Sequence, residues 1–135
     1  MRSDQLKRSL SEYFKNRPEV AAVYLFGSYA VNSQKPGSDV DIGILFDPGE
    51  VQFFSEYIDT YLKELPRIIR KDIHPVIMNN AGELLAKQIL GKGRCIHVKD
   101  EKQLSLYKMH MYSMIAEFGY YYEKMKAGFV RHVVE

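Results

Sequence analysis

Apolar and polar residues alternate from residue 39 to residue 46, which predicts a β-strand with one buried face. The apolar positions on that face are Val40, Ile42, Ile44 and Phe46. Asp39 and Asp41 share the opposite face, and two carboxylates that project side by side from a strand repel each other. We therefore expect a cation between them. A hard divalent ion such as Mg²⁺ suits oxygen ligands and keeps waters that substrate phosphates can replace.

A second apolar run, residues 20–26, predicts another strand, and it ends at Gly27 and Ser28. Residues 29–31 can then wind as one helical turn, which Asn32 can close in a left-handed conformation. Glycine lets a phosphate approach the backbone, the serine hydroxyl can donate a hydrogen bond, and the free amides of a helix start favour anions. The segment therefore predicts a phosphate-binding turn followed by a loop and a metal-binding strand.

Three segments in the first two thirds of the chain show apolar residues at helical spacing. The first spans residues 6–14 and is expected to end before Pro18. The second spans residues 54–65 and is expected to be closed by Pro66. The third is expected to open with a capping box after Asn80 and to end near Gly91.

Two more strands are predicted, at residues 72–78 and 94–98. Pro75 cannot donate a hydrogen bond to a strand ladder, which indicates an edge position or a local distortion. Cys95 is expected to be a small buried thiol in the last strand. Because it is the one cysteine of the chain, an internal disulfide and a cysteine-based zinc site are excluded.

The chain is expected to finish with a long helix, from about residue 100 to about residue 126. Apolar residues recur on it with 3,4 spacing over three heptads, at Leu104, Tyr107, Met111, Met114, Phe118, Tyr121 and Met125. We refer to these seven positions as the seam. Either the seam packs against the protein's own sheet and first helix, or part of it contacts another chain in a homo- or hetero-oligomer. Methionine and tyrosine are common at adaptable interfaces, which keeps the second alternative open.

At 135 residues the chain is expected to form a single domain over residues 1–135, with a core over about residues 5–99. Its net charge is +2, with acids and bases mixed along the chain, so we expect no direct binding of nucleic acid. The short basic run at residues 67–71 is expected to be a solvated patch. No run approaches the length of a membrane span and the N-terminus carries no apolar signal core, so we expect a cytoplasmic protein.

The order of the central segment, Gly27-Ser28, ten residues, then Asp39-Val40-Asp41, resembles the signature of the nucleotidyltransferase superfamily. Within it, the chain looks most similar to the minimal nucleotidyltransferase (MNT) adenylyltransferase antitoxins, which are paired with HEPN toxins. The resemblance covers about residues 5–126. Many relatives carry an arginine soon after Gly-Ser, where this chain has Tyr29 and Val31.

The resemblance implies an α/β fold of the polymerase-beta-like type, with a small mixed sheet and helices mainly on one face. It also implies transfer of AMP from ATP, with Asp39 and Asp41 holding two Mg²⁺ ions and with Gly27 and Ser28 holding the terminal phosphates. In the family, a third carboxylate on the neighbouring strand completes the metal site, and Asp72 is assigned to that place. From the residues alone Asp72 could equally be a surface acid.

His74 is expected to be a structural or solvated histidine outside the site. The resemblance further implies that the acceptor is a tyrosine hydroxyl on a HEPN-type ribonuclease toxin, so that the protein acts as an antitoxin. Two alternatives stay open. One is nucleotidyl transfer to a small hydroxylated molecule such as an aminoglycoside, and the other is an antitoxin that neutralises its partner by contact alone.

Overall fold

The computed structural model describes residues 3–35 and 37–134, apart from the side chains of residues 118, 121, 122, 126 and 128–134. The helices are α1 (Ser3–Lys15), α2 (Phe54–Ile69), α3 (Glu83–Lys92) and α4 (Glu101–Val134). The strands are β1 (Val20–Phe26), β2 (Val40–Phe46), β3 (Ile73–Ile77) and β4 (Arg94–Val98). The structure therefore confirms the predicted strands and helices in the predicted order.

The four strands form one mixed sheet in the order β3-β2-β1-β4. β1 pairs antiparallel with both β2 and β4, whereas β2 and β3 are parallel. The edge position predicted for Pro75 is confirmed, since β3 lies at one edge. Cys95 is exposed rather than buried, and the expectation was wrong because β4 forms the other edge.

Helices cover both faces of the sheet, which corrects the expectation that they lie mainly on one. On one face, apolar residues of α1 and α2 pack against the inward side chains of β1 and β2. On the other, Ile89 of α3 and Leu104 of α4 pack against Tyr24, Phe26 and Leu45. All seven residues of β1 are buried, as is typical of a central strand that has helices above and below it.

The expectation that Pro66 ends the second helix was wrong, because α2 continues through it to Ile69. Leu65 and Ile69 are buried, and their packing outweighs the one backbone hydrogen bond that proline cannot donate. The helix ends at Arg70, which adopts a left-handed conformation (φ 57°) and donates its N–H to the Pro66 carbonyl at 2.9 Å. This ending fixes the chain just before β3.

The last helix, α4, begins after Asp100, whose side chain accepts a hydrogen bond from the Gln103 N–H at 3.0 Å. It continues to Val134, beyond the expected end near residue 126. None of the helices in the described part of the chain combines the length and apolarity needed to cross a membrane.

The first half of the seam belongs to the core. Leu104 and Met111 are buried, and the Tyr107 hydroxyl donates to the Met78 carbonyl at 2.9 Å. Burial raises the pKa of Tyr107 to about 12, so the hydroxyl keeps its proton at neutral pH. Met125, in contrast, is 73% exposed. The predicted Phe118 and Tyr121 contacts lie outside the described side chains.

Candidate active site

The turn after β1 is in direct contact with the carboxylate of Asp41. Gly27 has a φ of +70°, and a Cβ placed on it would lie 2.2 Å from Asp41 Oδ2. The contact follows from the sheet register, in which Phe26 of β1 pairs with Asp41 of β2. Only glycine fits here, because the residue must adopt the left-handed region and leave room for the carboxylate.

The predicted helical turn forms, but two residues earlier than the expected residues 29–31. Residues 27–29 make a 3₁₀ turn, and the Ala30 N–H donates to the Gly27 carbonyl at 3.2 Å. Asn32 is left-handed (φ 56°), as predicted. The Ser33 N–H donates a hydrogen bond to the Ser28 carbonyl at 2.9 Å. The loop after β1 is therefore tied to itself before the chain enters β2.

A cleft of about 290 Å³ opens beside this turn, and we call it the turn cleft. Its lining residues are Gly27, Ser28, Val31, Ser33, Gln88 and Lys92. Lys92, at the end of α3, brings a cation to the turn where many relatives carry an arginine near Gly-Ser. No sequence pattern predicts this position of Lys92, because the lysine reaches the turn only through the packing of α3 on the sheet.

Asp39 and Asp72 line a second cleft, of about 340 Å³, which we call the strand-end cleft. Its lining residues are Gly37, Ser38, Asp39, Pro66, Arg70, Lys71 and Asp72. The two acids meet there because each immediately precedes one of two paired residues, Val40 and Ile73. The cleft also brings in two cations of the basic run that was expected to be a solvated patch.

The residue beside Asp41 on β3 is His74. The two are paired in the parallel register, and His74 Nδ1 lies 3.1 Å from Asp41 Oδ1. The His74 side chain is 65% exposed, and that of Asp41 is 28% exposed. Sequence reasoning left His74 out of the site, although a parallel pairing of β2 and β3 places it opposite the second aspartate.

No group of three or more histidine, cysteine, aspartate or glutamate side chains in the described part of the chain converges closely enough to hold a metal ion alone. Asp39 lines the strand-end cleft and Asp41 contacts the Gly27 turn, and such a sparse set of carboxylate oxygens suits Mg²⁺, which keeps coordination positions for water and substrate phosphates. The residues present therefore fit a cation that binds together with a phosphorylated substrate.

The sequence pattern of the family described as polymerase beta, nucleotidyltransferase matches residues 8–102. A protein of Methanocaldococcus jannaschii, named as an inferred protein adenylyltransferase, is 34% identical over 77 residues, which are 52% of this chain and 77% of that relative.

Solved structures show the same fold. A toxin-antitoxin crystal structure with AMP-PNP contains a chain with a TM-score of 0.67 at 19% identity, covering 92% of this chain and 98% of that one. A complex of a tri-AMPylated Shewanella oneidensis HEPN toxin with an MNT antitoxin contains a chain with a TM-score of 0.64 at 17% identity, covering 96% and 99%. The fold is thus shared with these structures, and the match to the family covers more than half of the chain. The protein belongs to the polymerase beta nucleotidyltransferase family and is a nucleotidyltransferase.

Proposed function

We propose that this protein transfers AMP from ATP to a tyrosine hydroxyl of a HEPN-type toxin and thereby acts as an antitoxin in the cytoplasm. The observation that carries the proposal is the contact between the Asp41 carboxylate and the Gly27 turn. In this arrangement the carboxylate proposed to bind a cation lies against the backbone proposed to bind phosphate, which suits a metal-nucleotide complex. The named relative and the two toxin-antitoxin structures support the choice of AMP and of the partner.

The turn cleft is the proposed site of the triphosphate. Gly27 allows the phosphates to approach the backbone, Ser28 offers a hydroxyl, and Lys92 offers a positive charge. Asp39 and Asp41 would hold two Mg²⁺ ions, which when bound would neutralise charge on the triphosphate and on the departing pyrophosphate. Without the cations, the two carboxylates repel the same phosphates.

The strand-end cleft is the proposed approach of the acceptor hydroxyl. Asp39 faces this cleft while Asp41 contacts the turn, so the two acids stand between donor and acceptor sites. Asp72 lies in the same cleft, where it could complete the metal site or take the proton from the attacking hydroxyl. Both roles of Asp72 remain predictions.

The partner is proposed to contact α4. Large apolar side chains are exposed along this helix, at Leu106, Met109, Tyr112, Tyr120 and Met125. Several large apolar residues exposed on one helix are typical of a surface that another protein covers. Because the net charge of the chain is only +2, we expect no comparable surface that would bind nucleic acid.

Lys92→Gln is expected to weaken ATP binding about tenfold, because the variant loses one charge-assisted contact with the triphosphate. Titration calorimetry with a non-hydrolysable ATP analogue and Mg²⁺ would measure the change. Lys87→Gln is the matched control, because Lys87 is exposed on the same helix and does not line the turn cleft. Equal affinities of the two variants would place the triphosphate elsewhere.

Intact-mass spectrometry of the HEPN-type partner tests the proposed reaction directly. With ATP and Mg²⁺, the wild-type protein should add the mass of AMP to the partner, and EDTA should prevent the addition. Replacing the modified tyrosine of the partner by phenylalanine should abolish it as well. Neutralisation of the partner without added mass would favour the contact-only antitoxin, and addition of AMP to an aminoglycoside instead would favour the small-molecule alternative.

A further inference from the structure

His74 occupies the position on β3 from which a side chain could bind the same cation as Asp41. The parallel register pairs the two residues, and it pairs Val40 with Ile73 one step earlier. Both His74 and Asp41 point to the same face of the sheet, where the Gly27 turn lies on the other side of Asp41. Asp41 is thus flanked by the Gly27 turn on one side and by an imidazole on the other.

The spacing of the two groups matches two donors on one cation. Adjacent donors of an octahedral ion, each about 2.1 Å from the metal, stand about 3.0 Å apart. His74 Nδ1 and Asp41 Oδ1 are 3.1 Å apart. A cation could therefore lie between these two atoms in place of their hydrogen bond.

Asp72 is less well placed than His74 to bind the same cation as Asp41. It lies two residues before His74, which is about 6.6 Å along a strand, and so it stands beside Asp39. The Val40 N–H also donates to the Asp72 carbonyl at 2.9 Å, which fixes the backbone of Asp72 at this level. The β3 side chain nearest to the Asp41 carboxylate is therefore His74, which would offer a cation a nitrogen ligand rather than an oxygen ligand.

We propose that His74 binds, through Nδ1, the same cation as Asp41. The proposal rests on the proposed function, because that cation is the one that accompanies the nucleotide. An imidazole ligand makes the site less suited to Mg²⁺ and better suited to ions such as Mn²⁺ and Co²⁺, which accept both nitrogen and oxygen donors. The side chain is 65% exposed, so an ion can reach it from solvent.

Pulsed electron paramagnetic resonance on the full chain with Mn²⁺ tests this ligand assignment. Mn²⁺ is added alone and with a non-hydrolysable ATP analogue, and the spin-echo modulation reports a directly bound ¹⁴N nucleus. The wild type should show the modulation of a coordinated imidazole, and His74→Gln should lose it. His110→Gln should keep it, because His110 is exposed on α4 and far along the chain from the site.

Metal titrations add a second readout. His74→Gln should lower Mn²⁺ affinity by about tenfold or more, on the scale of losses seen when groups around a metal site are removed. His74→Asp should restore binding while shifting the preference from Mn²⁺ toward Mg²⁺. Asp72→Asn should keep the ¹⁴N modulation, because Asp72 lies beside Asp39 and not beside Asp41.

A wild-type spectrum without ¹⁴N modulation would overturn the assignment, even if His74→Gln weakened metal binding, since His74 would then act only through its hydrogen bond to Asp41. Loss of Mn²⁺ binding in Asp72→Asn but not in His74→Gln would also overturn it and would favour Asp72 as the third ligand. AMP transfer to the partner is measured separately on the same proteins. A coordinated imidazole without AMP transfer would contradict the proposed function alone, and transfer without the imidazole signal would contradict the ligand assignment alone.

Discussion

Replacing Asp39 and Asp41 together by asparagine is expected to lower the rate of AMP transfer to the partner by a factor on the order of 10³ or more. The two carboxylates supply the negative charge that holds the cations, and bound cations contribute several kcal/mol of charge stabilisation in a phosphoryl-transfer transition state. The fold should persist. Asp39 is exposed, Asp41 is only partly buried, and asparagine keeps the size of the side chain while it relieves repulsion between the two acids.

Physical association with the partner should survive this double change, because the proposed contact surface lies on α4 and not at the strand ends. The measurements are intact-mass spectrometry of the partner, a growth-rescue assay and circular dichroism of the variant. Glu56→Gln with Asp59→Asn is the matched control, since it removes two exposed charges from α2 and should leave transfer unchanged. If the Asp39/Asp41 variant rescued growth as well as the wild type, with no added mass in either case, contact alone would explain neutralisation.

The central segment could be predicted from the sequence because its information is local. Alternation along β2 assigned Val40 and Ile42 to one face and Asp41 to the other, and the structure confirms that division. The left-handed Asn32 likewise follows from the conformational preference of a single residue. Each of these features depends on neighbours within a few positions, which is the range that a sequence pattern describes.

Features that depend on tertiary pairing were missed or wrong. The sequence did not show that helices cover β1 on both faces. The apolar run that forms β1 is compatible with burial on one face or on both. Pro66 predicts a helix end, yet α2 continues to Ile69 because that residue is buried in the core. Local preference was overridden by packing in both cases.

The same limit applies to the site. The resemblance implies Asp72 as the third acid, but residue type and order alone do not fix the register between two strands. The register sets His74 against Asp41 and leaves Asp72 beside Asp39. Lys92 joins the turn cleft from the far end of α3 for a similar reason. A one-residue change in the pairing of β2 with β3 would alter the neighbours of both Asp39 and Asp41.

Gly27→Ala should be the most damaging single substitution of a residue that carries no functional group. The new Cβ would lie 2.2 Å from Asp41 Oδ2, so the carboxylate must move, and the left-handed backbone adds a cost of about 1–2 kcal/mol for a residue with a Cβ. A displacement of about 1 Å in a catalytic group can lower turnover about 10²-fold, and we expect a loss of at least this size in AMP transfer.

Gly37→Ala separates the two causes of this loss. Gly37 is also left-handed (φ +86°), but a Cβ placed there meets no atom within 4 Å in the described part of the chain. Gly37→Ala should lose thermal stability, measured by calorimetry, through backbone strain alone, whereas Gly27→Ala should lose more because the clash with Asp41 adds to the strain. Gly27→Ala should also lose Mn²⁺ binding, which Gly37→Ala should keep, since only at Gly27 does the added methyl displace Asp41. Comparable Mn²⁺ binding by the two variants would show that the contact between the turn and the carboxylate does not position Asp41, and the geometric basis of the proposed function would be lost.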